Sequence, residues 1–341
     1  MSQISVNDIT SLDGKSGPVI SGITTVSSTG YMMVPAGPTE YRGGRGRGVI
    51  VGGYIASPGA TNTLQYITIS TTGNSKDFGD LTDPAHSASA FASSTRGFRA
   101  GGANPTSINI IDYFTISSTG NAFDFGDLTG TLYQGAALSN ETRGLVYTAA
   151  GYPSTQHFLD SVNLSSGGTN AIKFGDVVVY PRDKPRQNMG ALASPTRGVF
   201  AGGGFPDVYN IIEYATISTF GNTIDFGDLT HAARSVQGVS NSVRGVFCTS
   251  GPPSAINVTN YITIASTGNA QTFGDCTTGG GMSSGCASPT RGVFQGLSPG
   301  LTMEYITFNT LGNTTDFGDL LSGVATGDMN GLSDAHGGLG D

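Results

Sequence analysis

An all-β fold of four-stranded blades, a β-propeller, is what this sequence predicts, and three observations carry that expectation. Phe-Gly-Asp recurs six times in 341 residues, ending at Asp80, Asp127, Asp176, Asp228, Asp275 and Asp319, with spacings of 47, 49, 52, 47 and 44. An Arg-Gly pair follows each of the first five copies, at Arg96, Arg143, Arg197, Arg244 and Arg291, and Arg47-Gly48 precedes the first. The runs between them alternate with period two, as in Tyr261-Ile262-Thr263-Ile264, and none carries a helical period of any length. A unit of about 47 residues suits a propeller blade and is too long for a β-helix coil.

The elements follow in order along the chain. Residues 1–19 read as an assembly arm or as part of a closing blade. In 20–39, Thr24-Thr25-Val26-Ser27-Ser28-Thr29-Gly30 resembles a third strand and its turn, followed by a fourth strand that lacks Phe-Gly-Asp. Residues 40–321 hold the six repeats. In the fifth, strands are expected near 234–240, 245–248, 258–265 and 269–276. The third and fourth strands are joined by Ser-Thr-Gly-Asn or a variant, where Gly73, Gly120, Gly221, Gly268 and Gly312 supply the backbone freedom of a tight hairpin. At the C-terminus, 323–332 and 336–340 read as first and second strands, with His336-Gly337 where Arg-Gly belongs. Joined to 20–39, residues 322–341 make a shared seventh blade, which removes two exposed sheet edges. The expectation is therefore one domain over 1–341 with seven blades; six blades with loose termini is the alternative.

Composition agrees. Glycine supplies 53 residues and charged residues only 12%. Glycine has no period of three, so a collagen helix is excluded. The 17 Phe and 13 Tyr provide apolar surface for a core, against disorder. No apolar run approaches the ~18 residues of a membrane span. A net charge of −8 disfavours nucleic acid, whose binding needs clustered Lys and Arg. The first residues lack the basic and apolar regions of a secretory signal.

The repeats resemble kelch repeats. Ala201-Gly202-Gly203, Tyr214 and Phe226 stand at the kelch Gly-Gly, Tyr and last-strand aromatic places, as do Gly101-Gly102, Tyr113 and Phe125, and Gly52-Gly53, Tyr66 and Phe78. Phe-Gly-Asp departs from the kelch Trp. More narrowly, Thr216-Ile217-Ser218-Thr219-Phe220-Gly221-Asn222, Asp225-Phe226-Gly227-Asp228-Leu229-Thr230 and Pro195-Thr196-Arg197-Gly198-Val199-Phe200 resemble repeats in virion proteins of marine tailed bacteriophages. That resemblance implies a particle component, such as a tail, fibre or surface appendage. It implies other virion proteins as partners and several copies per particle.

The repeated Asp and Arg invite two readings. They form a ring of binding groups, or a polar tie repeated in each blade, such as Asp228 with Arg244, or partners for loop backbone groups. Recurrence in nearly every blade favours a structural role. The four histidines, His86, His157, His231 and His336, have no metal-ligand spacing, and no Cys-x-x-Cys occurs, so no metal or cofactor is expected. Cys276 replaces the Leu of other repeats and reads as a small apolar group; a 276–286 disulfide is the alternative.

Binding is expected where the repeats diverge. The connections between second and third strands carry Tyr54, Tyr152, His157, Phe158, Phe205 and Tyr209, aromatics suited to glycan stacking or protein contact. The longest Asp-to-Arg interval holds Tyr180-Pro181-Arg182-Asp183-Lys184-Pro185-Arg186, where Arg182, Lys184 and Arg186 could dock an acidic partner or glycan. The expected role is non-enzymatic: a virion protein displaying loops to a host glycan or receptor, or an assembly scaffold. A glycan-cleaving enzyme is the lesser alternative, since no carboxylate pair stands outside the repeat pattern.

Overall fold

The computed structural model describes residues 46–55, 59–148, 158–177, 186–204, 207–249, 257–277, 284–295, 301–321 and 328–340. The expected N-terminal arm and the closing strands within 20–39 lie outside them. Six four-stranded antiparallel sheets stand as blades in a ring. From the axis outwards, blade 1 is Asn330–Ser333, Arg47–Val51, Thr63–Thr68 and Lys76–Asp80. Blade 2 is Ser89–Ala92, Arg96–Ala100, Ile108–Thr115 and Phe123–Leu132. Blade 3 is Ala136–Ser139, Arg143–Thr148, Phe158–Asn163 and Ile172–Asp176. Blade 4 is Gly190–Ala193, Arg197–Ala201, Ile211–Thr216 and Ile224–Asp228. Blade 5 is Val236–Ser240, Arg244–Thr249, Val258–Thr263 and Gln271–Asp275, and blade 6 is Ser284–Ala287, Arg291–Gln295, Thr302–Thr307 and Thr315–Asp319.

The ring therefore has six blades, not the expected seven. Six outer strands carry Phe-Gly-Asp, and the chain between them supplies only five inner strands. The sixth inner strand comes from the C-terminus, where Gly48 pairs with Ser333 and Val51 with Asn330. One C-terminal strand completes three strands of blade 1, so no separate shared blade forms. His336-Gly337 is accordingly not a second strand, because Arg47-Gly48 already fills that place. Residues Gly337–Leu339 instead form a short 3-10 turn. His336 Nδ1 accepts from the Gly338 N–H at 3.2 Å, and Nε2 donates to the Ala92 carbonyl at 2.9 Å.

Ring closure rests on a side-chain cap. Asp334 Oδ1 accepts from the Gly46 and Arg47 N–H groups at 2.6 and 3.0 Å. Asn140 and Asn241 do the same for Arg143 and Arg244. Asp334→Asn is therefore expected to leave stability almost unchanged. Asp334→Ala strands two donors and is expected to cost about 1–3 kcal/mol in urea unfolding. Equal effects of the two substitutions would show that charge, rather than hydrogen bonding, holds the seam.

At the axis, six strands converge because small residues face inwards: Ala90, Ala137, Ala191, Gly238, Gly285 and Gly331 line the channel. One layer further, Ala and Ser alternate around the ring. Ser139, Ser240 and Ser333 donate to the carbonyls of Ala92, Ala193 and Ala287 at 2.7, 2.8 and 2.6 Å. The six-fold repeat is thus also three pairs of blades.

Phe-Gly-Asp is an inter-blade joint. Its Phe is buried in every blade, with 2–4% of its surface exposed, and each such ring contributes roughly 1.5–3 kcal/mol of burial. Its Gly lies against the hairpin of the next blade: a Cβ on Gly227 would stand 2.5 Å from the Gly268 carbonyl oxygen. The hairpin returns three bonds. Gly268 and Ala270 N–H groups donate to the Phe226 and Asp228 carbonyls at 2.8 Å each, and Asn269 Oδ1 accepts from the Asp228 N–H at 3.1 Å. The Asn contact recurs at Asn121, Asn170, Asn222, Asn313 and Asn74. Outer edges that would otherwise offer unpaired backbone are covered in this way.

The three cysteines, Cys248, Cys276 and Cys286, are buried free thiols, so the 276–286 disulfide is absent. Cys276 packs with Cys248 and Phe273 in one cluster, and Cys286 with Val293 and Phe317 in another. Burial pushes the Cys286 thiol up to about 12 and raises that of Cys248. The native protein is expected to resist iodoacetamide at mildly alkaline pH, and all three thiols to react once it is unfolded. Rapid labelling of native protein would contradict the buried placement.

Candidate functional site

The repeated charged residues face their neighbouring blades. Arg47, Arg96, Arg143, Arg197, Arg244 and Arg291 each reach a hairpin-end carbonyl of the next blade: Ile116, Ser166, Ile217, Ile264, Phe308 and, for Arg291, Ile69 with Ser70. Most of these guanidinium groups also cover the Tyr of their own blade, as Arg197 does Tyr214 at 4.3 Å. Such a contact adds about 0.5–2 kcal/mol. These arginines meet backbone carbonyls of the next blade rather than the Phe-Gly-Asp carboxylates. Arg244 serves Phe308, while Asp228 is held through its backbone. The carboxylates of Asp80, Asp127, Asp176, Asp228, Asp275 and Asp319 sit partly or fully exposed on the rim.

A second ring of polar residues lies inside the blades. Gln65, Asp112, Asp160, Glu213, Asn260 and Glu304 occupy one third-strand position and are fully buried. Most accept from the segment that follows Phe-Gly-Asp in the preceding blade: Asp112 from Thr82 Oγ1 at 2.7 Å, Asp160 from Thr129 Oγ1 at 2.7 Å, Asn260 from Thr230 Oγ1 at 2.6 Å. Arg186 belongs to this ring. It is 3% exposed and forms an ion pair with Glu213, so it is not the docking cation expected from its loop. The cross-blade position of Glu213 offers a carboxylate that no linear pattern around Arg186 reveals. Arg182 and Lys184 lie outside the described residues.

Among the described residues, one polar and aromatic patch gathers the second-to-third strand connection of blade 1 with segments next to inner strands. Tyr54 is 43% exposed and meets the His86 ring edge-on, centroids 5.5 Å apart. His86 in turn meets Tyr133 at 5.8 Å and 89°. His86 Nδ1 lies 3.1 Å from Ser87 Oγ and 3.8 Å from Asp328 Oδ2. Burial, and then the Asp328 carboxylate, raise the Tyr133 phenol, against a hydrogen bond to Ser87 that lowers it. Three rings, a carboxylate and a hydroxyl thus share one patch between blades 1 and 2. Ser87 and Asp328 both hold left-handed backbone, φ 54° and 53°, and the Ser87 N–H donates to the Asp328 carbonyl at 2.8 Å.

Of the aromatics expected to bind, Tyr54 stands in this patch. Phe158 is half-buried beneath the Lys173 ammonium at 5.6 Å. Tyr209 is half-buried in blade 4, its N–H donating to the Gly203 carbonyl at 3.1 Å. Tyr152, His157 and Phe205 lie outside the described residues. His86, Tyr133 and Asp328 were missed as partners of Tyr54, since they sit in the segments leading to inner strands. Their signal was departure from the repeat just after Phe-Gly-Asp. Among the described residues, no three His, Cys, Asp or Glu converge as a metal site.

The axial channel is narrower than a ligand site. Two sections of it hold about 60 and 50 Å3. Its lining combines Ala, Gly and Ser with the larger apolar residues Phe91, Leu138, Leu192, Val239 and Leu332, and with His336.

Fold and joints together define a six-bladed β-propeller whose repeated polar residues hold blade to blade. No protein-family model and no curated protein matches the chain.

Proposed function

We propose that this propeller is a non-enzymatic display module of a phage particle, presenting one loop face to a host-surface glycan or receptor. The observation that carries this reading is the Tyr54–His86–Tyr133 patch with Asp328, on the face where connections depart from the repeat. Exposed aromatic rings beside hydrogen-bonding groups suit sugar rings and protein side chains alike. The virion assignment itself is supported by the resemblance of the Thr-Ile-Ser, Phe-Gly-Asp and Arg-Gly-Val-Phe runs. Binding of purified protein to host cells and to a glycan array tests it. Tyr54→Ala is expected to weaken binding at least tenfold with an unchanged melting midpoint. Silence on host cells and glycans would overturn the reading.

A second reading, an assembly scaffold bound to other virion proteins, is favoured by a separate observation. Phe123, Ile172 and Ile224, two residues before the Phe of three successive outer strands, are 64%, 58% and 56% exposed. Phe220, in the hairpin of blade 4, is 52% exposed. Lys76, Gln271 and Thr315 occupy the same strand position in the other three blades. Apolar outer-strand residues on three successive blades suit lateral contact with protein. Phe123→Asn would then reduce incorporation into particles while leaving host binding by the isolated protein intact.

A further inference from the structure

We propose that the hairpin groove of blade 5 is a subsite for a neutral carbohydrate, separate from the loop face and independent of its reading. The groove has a volume of about 240 Å3, larger than either section of the axial channel. Half-buried Tyr261 of blade 5 is its accessible aromatic ring, since Phe226 of blade 4 is only 2% exposed. Thr263, Ser266, Thr267, Asn269 and Gln271 supply the polar lining.

The bonding state of these groups points to the ligand. Asn269 Oδ1 is taken by the Asp228 N–H, and Gln271 Oε1 by the Tyr261 hydroxyl. Both amide nitrogens keep their donors, and the three hydroxyls of Thr263, Ser266 and Thr267 can donate or accept. None of the lining residues is charged, and the Arg244 guanidinium covers one face of the Tyr261 ring, 4.9 Å from its centroid. A ligand that matches it is uncharged, rich in hydroxyls that both donate and accept, and has an apolar face for an aromatic ring. A pyranose has those properties; an anionic or cationic ligand finds no counter-charge among the lining residues.

The repeat explains why the groove lies here. The residue opposite the third-strand Tyr is Phe123 in blade 2 and Ile224 in blade 4, and Ile172 holds that place in blade 3. In blade 5 it is Gln271, hydrogen-bonded to Tyr261. Thr267 likewise stands where blade 4 has Phe220. Blade 5 is polar at both positions.

The test is an NMR titration of the full chain with methyl α-glucoside, methyl α-galactoside and N-acetylglucosamine, each to millimolar concentration. The amides of Thr263, Ser266, Thr267 and Gly268 and the Gln271 side chain are followed. At least one sugar is expected to give saturable shifts there. Gln271→Ile and Thr267→Phe, each copying a neighbouring blade, should weaken them at least tenfold while the melting midpoint holds. No saturable shift at these residues, or shifts that survive both substitutions, would overturn the subsite. Loss of host binding by Tyr54→Ala with these shifts intact would separate it from the loop face.

Discussion

Arg99→Phe is expected to destabilise the protein by about 3–5 kcal/mol, because it leaves a buried carboxylate without its cation. Arg99 and Asp112 are fully buried, face each other across neighbouring strands of blade 2, and form an ion pair. Arg99 also donates to the Gly101 carbonyl at 3.1 Å. Once the guanidinium is gone, Asp112 keeps only the Thr82 hydroxyl, at 2.7 Å. The repeat supplies the compensating change. Blade 5 has Phe247 opposite Asn260, with Thr230 Oγ1 donating to the Asn260 side chain at 2.6 Å. Arg99→Phe with Asp112→Asn copies that pair, and should recover most of the loss. Urea unfolding of both variants checks this. A double variant as unstable as the single would show that packing, not the unpaired charge, sets the cost.

Gly227→Ala is expected to cost about 2–4 kcal/mol, from backbone strain and a steric clash acting together. Gly227 has φ 144°, which L side chains rarely adopt, and its Cβ would lie 2.5 Å from the Gly268 oxygen. Relief requires moving the blade 5 hairpin away from blade 4, which breaks the bonds made by Gly268, Asn269 and Ala270. Two companions separate the causes. Asn269→Ala removes one hydrogen bond without a clash and should cost about 0.5–1.5 kcal/mol. Asp228→Asn should change stability by less than about 0.5 kcal/mol, since the backbone of Asp228 makes the contact. If Asp228→Asn were the most damaging of the three, the carboxylate would have a role beyond the joint.

Much of the architecture was legible because a propeller repeats its chemistry at every joint. The Arg of Arg-Gly meets a hairpin-end carbonyl of the next blade at six joints, and a hairpin glycine bonds the Phe carbonyl of Phe-Gly-Asp at five. Strand order within a blade followed from period-two alternation and turn residues, which are local properties. The blade count was misread at the ends. The tract 20–39 shares the Thr-Thr-Val-Ser-Ser-Thr-Gly look of a third strand, yet Asn330–Ser333 pairs with Arg47–Val51. Pairing between residues nearly 300 positions apart leaves no local trace in composition.

The site was less legible for the same reason. Tyr54 was visible as an aromatic in a divergent connection. His86, Tyr133 and Asp328 join it because the Gly53–Ala85, Ser87–Asp328 and Gln134–Ser87 backbone bonds bring four segments together. Arg186 looked like a loop cation and is buried against Glu213. The groove of blade 5 follows from what Gln271 and Thr267 are not, which becomes apparent only when blades are superposed in space.

By itself, the sequence determined the all-β class and the four-stranded blade unit, since these depend on residue type and short spacing. The tertiary structure alone decided the closure at six blades, the pairing of blades through Ser and Ala at the axis, and which polar residues face solvent. Those outcomes depend on contacts between blades, where backbone approach and burial, rather than local propensity, select the partner.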